Sequence, residues 1–117
     1  MTVYADNAAT TRMSRTALDA MLPAMEENYG NPSSLHSVGQ RAAELLMKSR
    51  ETVARCLNCQ PREIIFTSGG SEADNQALLS AAAIGRRKGK MHIISTAFEH
   101  HAILHTLKKL EKEGFQV

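Results

Sequence analysis

The chain has 117 residues, 43% of them hydrophobic and 22% charged, with a formal net charge of +2, the proportions of a soluble globular protein. Two Tyr, three Phe and no Trp leave little to stack on bases, and with basic residues spread along the chain this argues against direct nucleic-acid binding. No apolar run approaches the roughly 18 residues a membrane span needs, and Met1-Thr2-Val3-Tyr4-Ala5-Asp6 shows neither a charged nor an apolar signal region. A soluble, cytoplasmic protein without a membrane partner is therefore expected.

From Val3 to Thr11 the sequence has no sustained period. At Ser14 a helical pattern begins, with Leu18, Met21, Leu22 and Met25 on one face and Ser14 as its N-cap. Pro23 should kink or shorten that helix. Tyr29-Gly30-Asn31-Pro32-Ser33-Ser34 gathers turn formers and reads as a loop. A longer helix is expected over 38–57, burying Ala42, Leu45, Leu46, Ser49, Val53 and Leu57.

Beyond Pro61, Arg62-Glu63-Ile64-Ile65-Phe66-Thr67 reads as a short buried strand, followed by an alanine-rich helix from Ser71 to about Gly85. The run Arg86-Arg87-Lys88-Gly89-Lys90 reads as a solvated connection. His92-Ile93-Ile94-Ser95-Thr96 is a second expected strand, 101–113 a further helix, and Gly114-Phe115-Gln116-Val117 the start of a third strand. Strand, helix, strand, helix, strand implies right-handed crossovers and a parallel sheet, hence an α/β fold. Such a sheet needs more strands and both faces covered, so the expectation is the N-terminal part of a larger α/β protein. It divides into an N-terminal segment and loop, 1–35, and the incomplete beginning of a large domain, 36–117.

Ser68-Gly69-Gly70-Ser71 stands where a strand should end and a helix begin. Helix N-termini carry unpaired N–H groups and partial positive charge, and glycines let a phosphate approach the backbone. The same residues also admit a plainer account: Ser71-Glu72-Ala73-Asp74 matches a capping box, with Ser71 satisfying the Asp74 N–H. The stretch is neither a P-loop nor a dinucleotide fingerprint.

His101 and His105 are spaced to share a helix face, but no third ligand stands nearby in sequence and His-Glu-x-x-His is absent, so no metal site is expected. Cys56-x-x-Cys59 lacks the second pair of a structural zinc site and reads as packing or surface cysteines. His100 follows the second expected strand at the edge where Ser71 should sit, an arrangement that suits a flat cofactor.

Four stretches together carry a resemblance. They are Tyr4-Ala5-Asp6-Asn7-Ala8-Ala9-Thr10-Thr11, Gly30-Asn31-Pro32-Ser33-Ser34-Leu35-His36, Ile64-Ile65-Phe66-Thr67-Ser68-Gly69-Gly70-Ser71-Glu72 and Glu99-His100. In this order and spacing the chain resembles the cysteine desulfurases of the NifS-like group, within the class V aminotransferases. The resemblance implies a pyridoxal 5'-phosphate-dependent transferase of fold type I, whose large domain has a mainly parallel sheet flanked by helices. Gly70 and Ser71 look like the phosphate grip, Ser71 standing where the family usually has Thr. His100 resembles the histidine that stacks on the cofactor ring and assists proton transfer, and Asn7 a residue at the mouth of the substrate pocket.

The implied reaction takes sulfur from L-cysteine, giving L-alanine and an enzyme persulfide. Implied partners are a second copy in a homodimer and a sulfur acceptor or iron–sulfur scaffold protein. The family's cofactor-binding lysine, its aspartate and its nucleophilic cysteine would fall after Val117, so the 117-residue chain alone is expected to be inactive. Alternatives with the same motifs are another class V enzyme, such as a selenocysteine lyase, or a truncated chain that binds without catalysis.

Overall fold

A computed structural model describes residues 2–117. They form two compact units, Met1–Ile64 and Ile65–Val117.

In the first unit the opening segment folds on itself. The Asp6 carbonyl accepts from the N–H groups of Ala9 and Thr10 at 3.1 and 3.4 Å, and the Tyr4 and Thr10 hydroxyls lie 2.6 Å apart. Helix α1 covers Arg15–Glu26, with the Ser14 hydroxyl accepting from Ala17 N as expected. Pro23 lies inside α1 without ending it. It falls in the last turn, where a lost ladder bond costs least, and its own carbonyl accepts from Glu27 and Asn28 N–H at 3.0 and 3.1 Å. Helix α1 buries no residue.

The loop before the next helix is an Asx turn, with Ser33 N–H donating to Asn31 Oδ1 at 2.9 Å. Helix α2 covers Ser37–Leu57, and its N-cap is His36, whose Nδ1 accepts from Gly39 N at 3.3 Å. At the other end Asn58 takes the left-handed conformation (φ 53, ψ 46) that closes a helix, a role its short polar side chain tolerates. Gly39 is where the loop and α2 meet: a Cβ there would stand 2.5 Å from the Ser34 carbonyl oxygen and 2.7 Å from that of Asn31. Only a bare backbone fits that gap.

The expected buried face of α2 is corrected by the structure. Ala42 is buried, joined by Gly39 and Ala54, whereas Leu45, Leu46, Val53 and Leu57 are exposed, Leu57 at 66%, and Ser49 is exposed as well. The helical period is right, but within this unit α2 packs on a single 3-10 turn, Pro61–Glu63, too small to cover the whole stripe.

That turn also replaces the start of the strand expected over 62–67. Pro61 opens it with its fixed φ, and the Glu63 carboxylate reaches back to Gln60 N at 2.6 Å. Among the described residues 64–67 pair with no strand.

In the second unit helix α3 covers Gly70–Arg87 and helix α4 covers His101–Lys112. Thr106, midway along α4, meets Asn75 in the second turn of α3, and Arg86 Nη2 in the last turn of α3 meets Glu113 Oε2 at the C-cap of α4 at 2.9 Å. The two helices therefore run parallel. Ala82, Leu110 and Phe115 form the core between them, flanked by Leu79, Met91 and Ile93. Residues 86–90 are exposed, as expected of a solvated connection, and Arg86 also lies over the Phe115 ring at 5.1 Å while pairing with Glu113.

The second and third expected strands meet at one parallel bridge, His92 with Gln116. Ile93 N–H donates to the Gln116 carbonyl and Gln116 N–H to that of Met91, both at 2.8 Å. The direction is the one the alternation implies, but among the described residues no sheet forms. A ladder needs a neighbour for every successive N–H and C=O, and this pairing stops after one bridge, with Ile94 86% exposed.

A glycine inside a helix is ordinarily improved by alanine, by about 0.5–1 kcal/mol. At Gly39 the sign should reverse. Gly39→Ala forces the Cβ into backbone that cannot swing away, and we expect a loss of about 1–3 kcal/mol, read as a lower denaturant midpoint at unchanged slope.

Candidate functional site

The helix that carries the candidate phosphate grip starts one residue earlier than expected, and its N-cap is Gly69. Ser71 therefore lies within the first turn, and no side chain caps the helix. This removes the capping-box account of Ser71. The first ladder bond runs from Ala73 N to the Gly69 carbonyl at 3.1 Å. The N–H groups of Gly70, Ser71 and Glu72 precede it and have no carbonyl a turn behind them. Ser71 is exposed, and among the described residues no side-chain bond engages its hydroxyl.

The two glycines are not required by the backbone. Gly69 is extended (φ 165, ψ 179), Gly70 is helical, and a Cβ on either would meet nothing within 4 Å. The positions where side chains of both glycines would stand are open, beside a helix start with three N–H groups outside the ladder and an exposed hydroxyl. That set fits a phosphate.

The acids of the first turn are accounted for separately. Glu72 Oε2 accepts from both the N–H and the hydroxyl of Ser68, each at 2.6 Å, and these bonds hold its carboxyl below the ordinary value of 4.5, the hydroxyl bond first and the backbone bond second. Its charge is thus committed to Ser68. Asp74 is half-buried further along α3.

His100 is the N-cap of α4, and its Nδ1 accepts from Ala102 N at 3.1 Å. A ring nitrogen that accepts cannot carry a proton, so the neutral ring holds its hydrogen on Nε2. The ring is exposed, with His101 edge-on at 6.3 Å between centroids. His101 and His105 lie 5.6 Å apart on the same helix, and among the described residues no group of three or more His, Cys, Asp or Glu could hold a metal ion.

Sequence reasoning missed the link between the two helix ends. Asn75 Nδ2 donates to the Ser71 carbonyl at 2.7 Å, and its Oδ1 accepts from the Thr106 hydroxyl. Thr106 Oγ1 also reaches the Ala102 carbonyl at 3.0 Å. A chain of bonds therefore joins Ser71 to the residue whose N–H is capped by His100. No periodicity signals it, because the partners are separated by 31 positions.

Gly70, Ser71 and His100 thus belong to neighbouring, parallel helix starts. Asn7 lies in the other unit, exposed, its Nδ2 donating to the Tyr4 carbonyl at 3.4 Å and its own carbonyl accepting from Thr11 Oγ1 at 3.2 Å. A groove of about 380 Å³ in the second unit runs between 92–97 and α4, lined by Ile93, Leu104 and Leu107, and contains none of the candidate residues. The candidate site is an open helix end, not a cavity.

Helices alternating with extended segments, the latter touching in parallel, are the order of an α/β protein. The family description "Aminotransferase class-V" matches residues 3–117, and the chain belongs to that family. It is 52% identical over 115 residues to the cysteine desulfurase IscS of Clostridium botulinum (strain Kyoto / Type A2), covering 98% of this chain and 29% of that protein. The solved structure of a NifS-like protein superposes with a TM-score of 0.91 at 43% identity, over 100% of this chain and 32% of that one. SspA, solved in complex with cysteine, gives a TM-score of 0.83 at 35% identity, over 94% of this chain and 31% of the other. The chain thus spans less than a third of the length of the relatives it matches. Among the described residues no helix is long and apolar enough to cross a membrane.

The Glu72 carboxyl offers a direct check on the loop. Because its folded value is depressed, the stability it contributes is fully present above about 4.5 and is lost as pH falls through the lower folded value. Carbon-detected NMR titration should place its midpoint below 4.5, and Ser68→Ala should bring it part of the way back.

Proposed function

We propose that this chain is the N-terminal part of a pyridoxal 5'-phosphate-dependent cysteine desulfurase. The observation that carries the reading is the uncapped start of α3. The N–H groups of Gly70, Ser71 and Glu72 lie outside the helix ladder beside an exposed Ser71 hydroxyl, and the Ser71 carbonyl is joined by hydrogen bonds to the His100 end of α4. The names of the relatives supply the reaction, and the cysteine bound to SspA supplies the substrate.

In this reading Gly70 and Ser71 hold the cofactor's phosphate, using backbone N–H groups, the hydroxyl and the positive end of the α3 dipole. The bound cofactor supplies an electron sink for the amino acid. His100 would meet the cofactor ring with its face while Nδ1 stays on the α4 backbone. It can donate from Nε2 in the neutral form, and it can accept a proton only at Nδ1, by releasing the Ala102 N–H. Asn7 borders the entrance for substrate. In balance, L-cysteine and an enzyme thiol give L-alanine and an enzyme persulfide: the carbon–sulfur bond breaks and the sulfur passes to the thiolate.

The full-length protein is a homodimer in the cytoplasm and hands its sulfur to an acceptor or iron–sulfur scaffold protein. Its fold is type I, with residues 36–117 opening a large domain whose mainly parallel sheet continues the His92–Gln116 pairing, and residues 1–35 forming a leading segment. The full-length protein loaded with the cofactor should release alanine and persulfide sulfur in equal amounts from L-cysteine. Cofactor uptake without either product would overturn the desulfurase reading.

Two substitutions separate the roles. Ser71→Ala should weaken cofactor affinity by about 1–2 kcal/mol, about 5–30-fold, measured by equilibrium titration. His100→Ala should retain the cofactor while turnover falls by about 10²-fold or more, and turnover equal to wild type would remove His100 from the chemistry.

A further inference from the structure

We propose that Asn75 and Thr106 are positioning residues, a polar tie that fixes the phosphate-gripping turn of α3 relative to the His100 end of α4; this rests on the cofactor reading above. The bonding pattern fixes the tie's direction. If the Asn75 amide were turned over, its Oδ1 would face the Ser71 carbonyl, oxygen against oxygen, so Nδ2 must point to Ser71 and Oδ1 to Thr106. The Thr106 hydroxyl has one hydrogen and two acceptors, Asn75 Oδ1 and the Ala102 carbonyl. That single hydrogen is shared between an acceptor on α3 and one on α4.

Burial argues that the tie does more than fill space. Thr106 is 5% exposed, in a neighbourhood where Leu107 and Leu110 supply the apolar packing. An apolar pair at 75 and 106 could fill the same volume, and replacing both polar partners by apolar groups of equal shape can be close to neutral for stability. The polar pair adds what apolar contact lacks, a defined register between helices. Asn75 stands one turn after Ser71, and Thr106 one turn after Ala102, so the register is set at the level where the phosphate and the ring would be met. Two parallel helix N-termini also repel each other weakly through their dipoles, and the tie resists that separation at the exposed end.

The test uses the full-length protein and pyridoxal 5'-phosphate. Thr106→Val keeps the shape and removes the hydroxyl; Thr106→Ser keeps the hydroxyl. We expect the valine variant to bind the cofactor about 3- to 10-fold more weakly and to change the visible circular dichroism band of the bound cofactor, with serine restoring both. Should the valine variant not fold, Asn75→Asp keeps the acceptor, loses the donor to Ser71, and should act in the same direction. A wild type that binds the cofactor, alongside a valine variant with equal affinity, an unchanged band and only a lower melting temperature, overturns the tie and leaves the cofactor reading standing. A wild type that takes up no cofactor overturns both.

Discussion

The second unit depends on two helices, α3 and α4, running side by side in the same direction. Parallel packing brings like dipole ends together, each equivalent to roughly half an elementary charge. The Ala82, Leu110 and Phe115 core holds the middle of the pair. Arg86 brings a cation to the negative ends, where Glu113 and the Phe115 ring receive it. At the positive ends the Glu72 carboxylate is bonded to Ser68, and Glu99, the residue before the His100 cap, accepts from the Thr96 hydroxyl at 2.8 Å. An anion seated there would relieve the repulsion. The same packing that builds the unit thus favours negative charge at its shared positive end.

Helices were legible in the sequence because their signals are local. Ser14 caps α1 as its position implies, and α2, α3 and α4 lie within a few residues of their expected bounds. Strands were less legible, because a strand exists only through a neighbour. The segments at 92–96 and 114–117 meet in the expected direction but at one bridge, and 62–67 gives its first residues to a proline-led turn. Burial along α2 failed for a related reason: period 3.6 identifies the face that wants a partner, and cannot say that the partner is a three-residue turn.

At the site, local signals were informative and in one place misleading. Ser-x-x-Asp is a helix-start pattern, yet the helix begins before it, because Gly69 and Gly70 can be drawn into the first turn without steric cost. Ser71 is thereby freed from backbone duty. Histidine is not among the preferred N-caps, and nothing in the spacing marks His36 or His100 as one, but both cap through Nδ1. The Asn75–Thr106 tie needed three-dimensional proximity to be seen at all. Cys56 and Cys59 fall at the C-terminal end of α2, the opposite end from the one where nucleophilic cysteines gain from the dipole. Their place agrees with a surface and packing role.

The capping bond of His100 constrains how this residue can act. One nitrogen starts a helix and the other faces outward, so the two functions share a single ring. While the cap is closed, Nδ1 is an acceptor and the ring is neutral, a state that leaves its face free to lie against an aromatic ring. A proton on Nδ1 would break the cap and leave the Ala102 N–H without its acceptor. The ring thus serves the helix through Nδ1 and presents only Nε2 and its face outward.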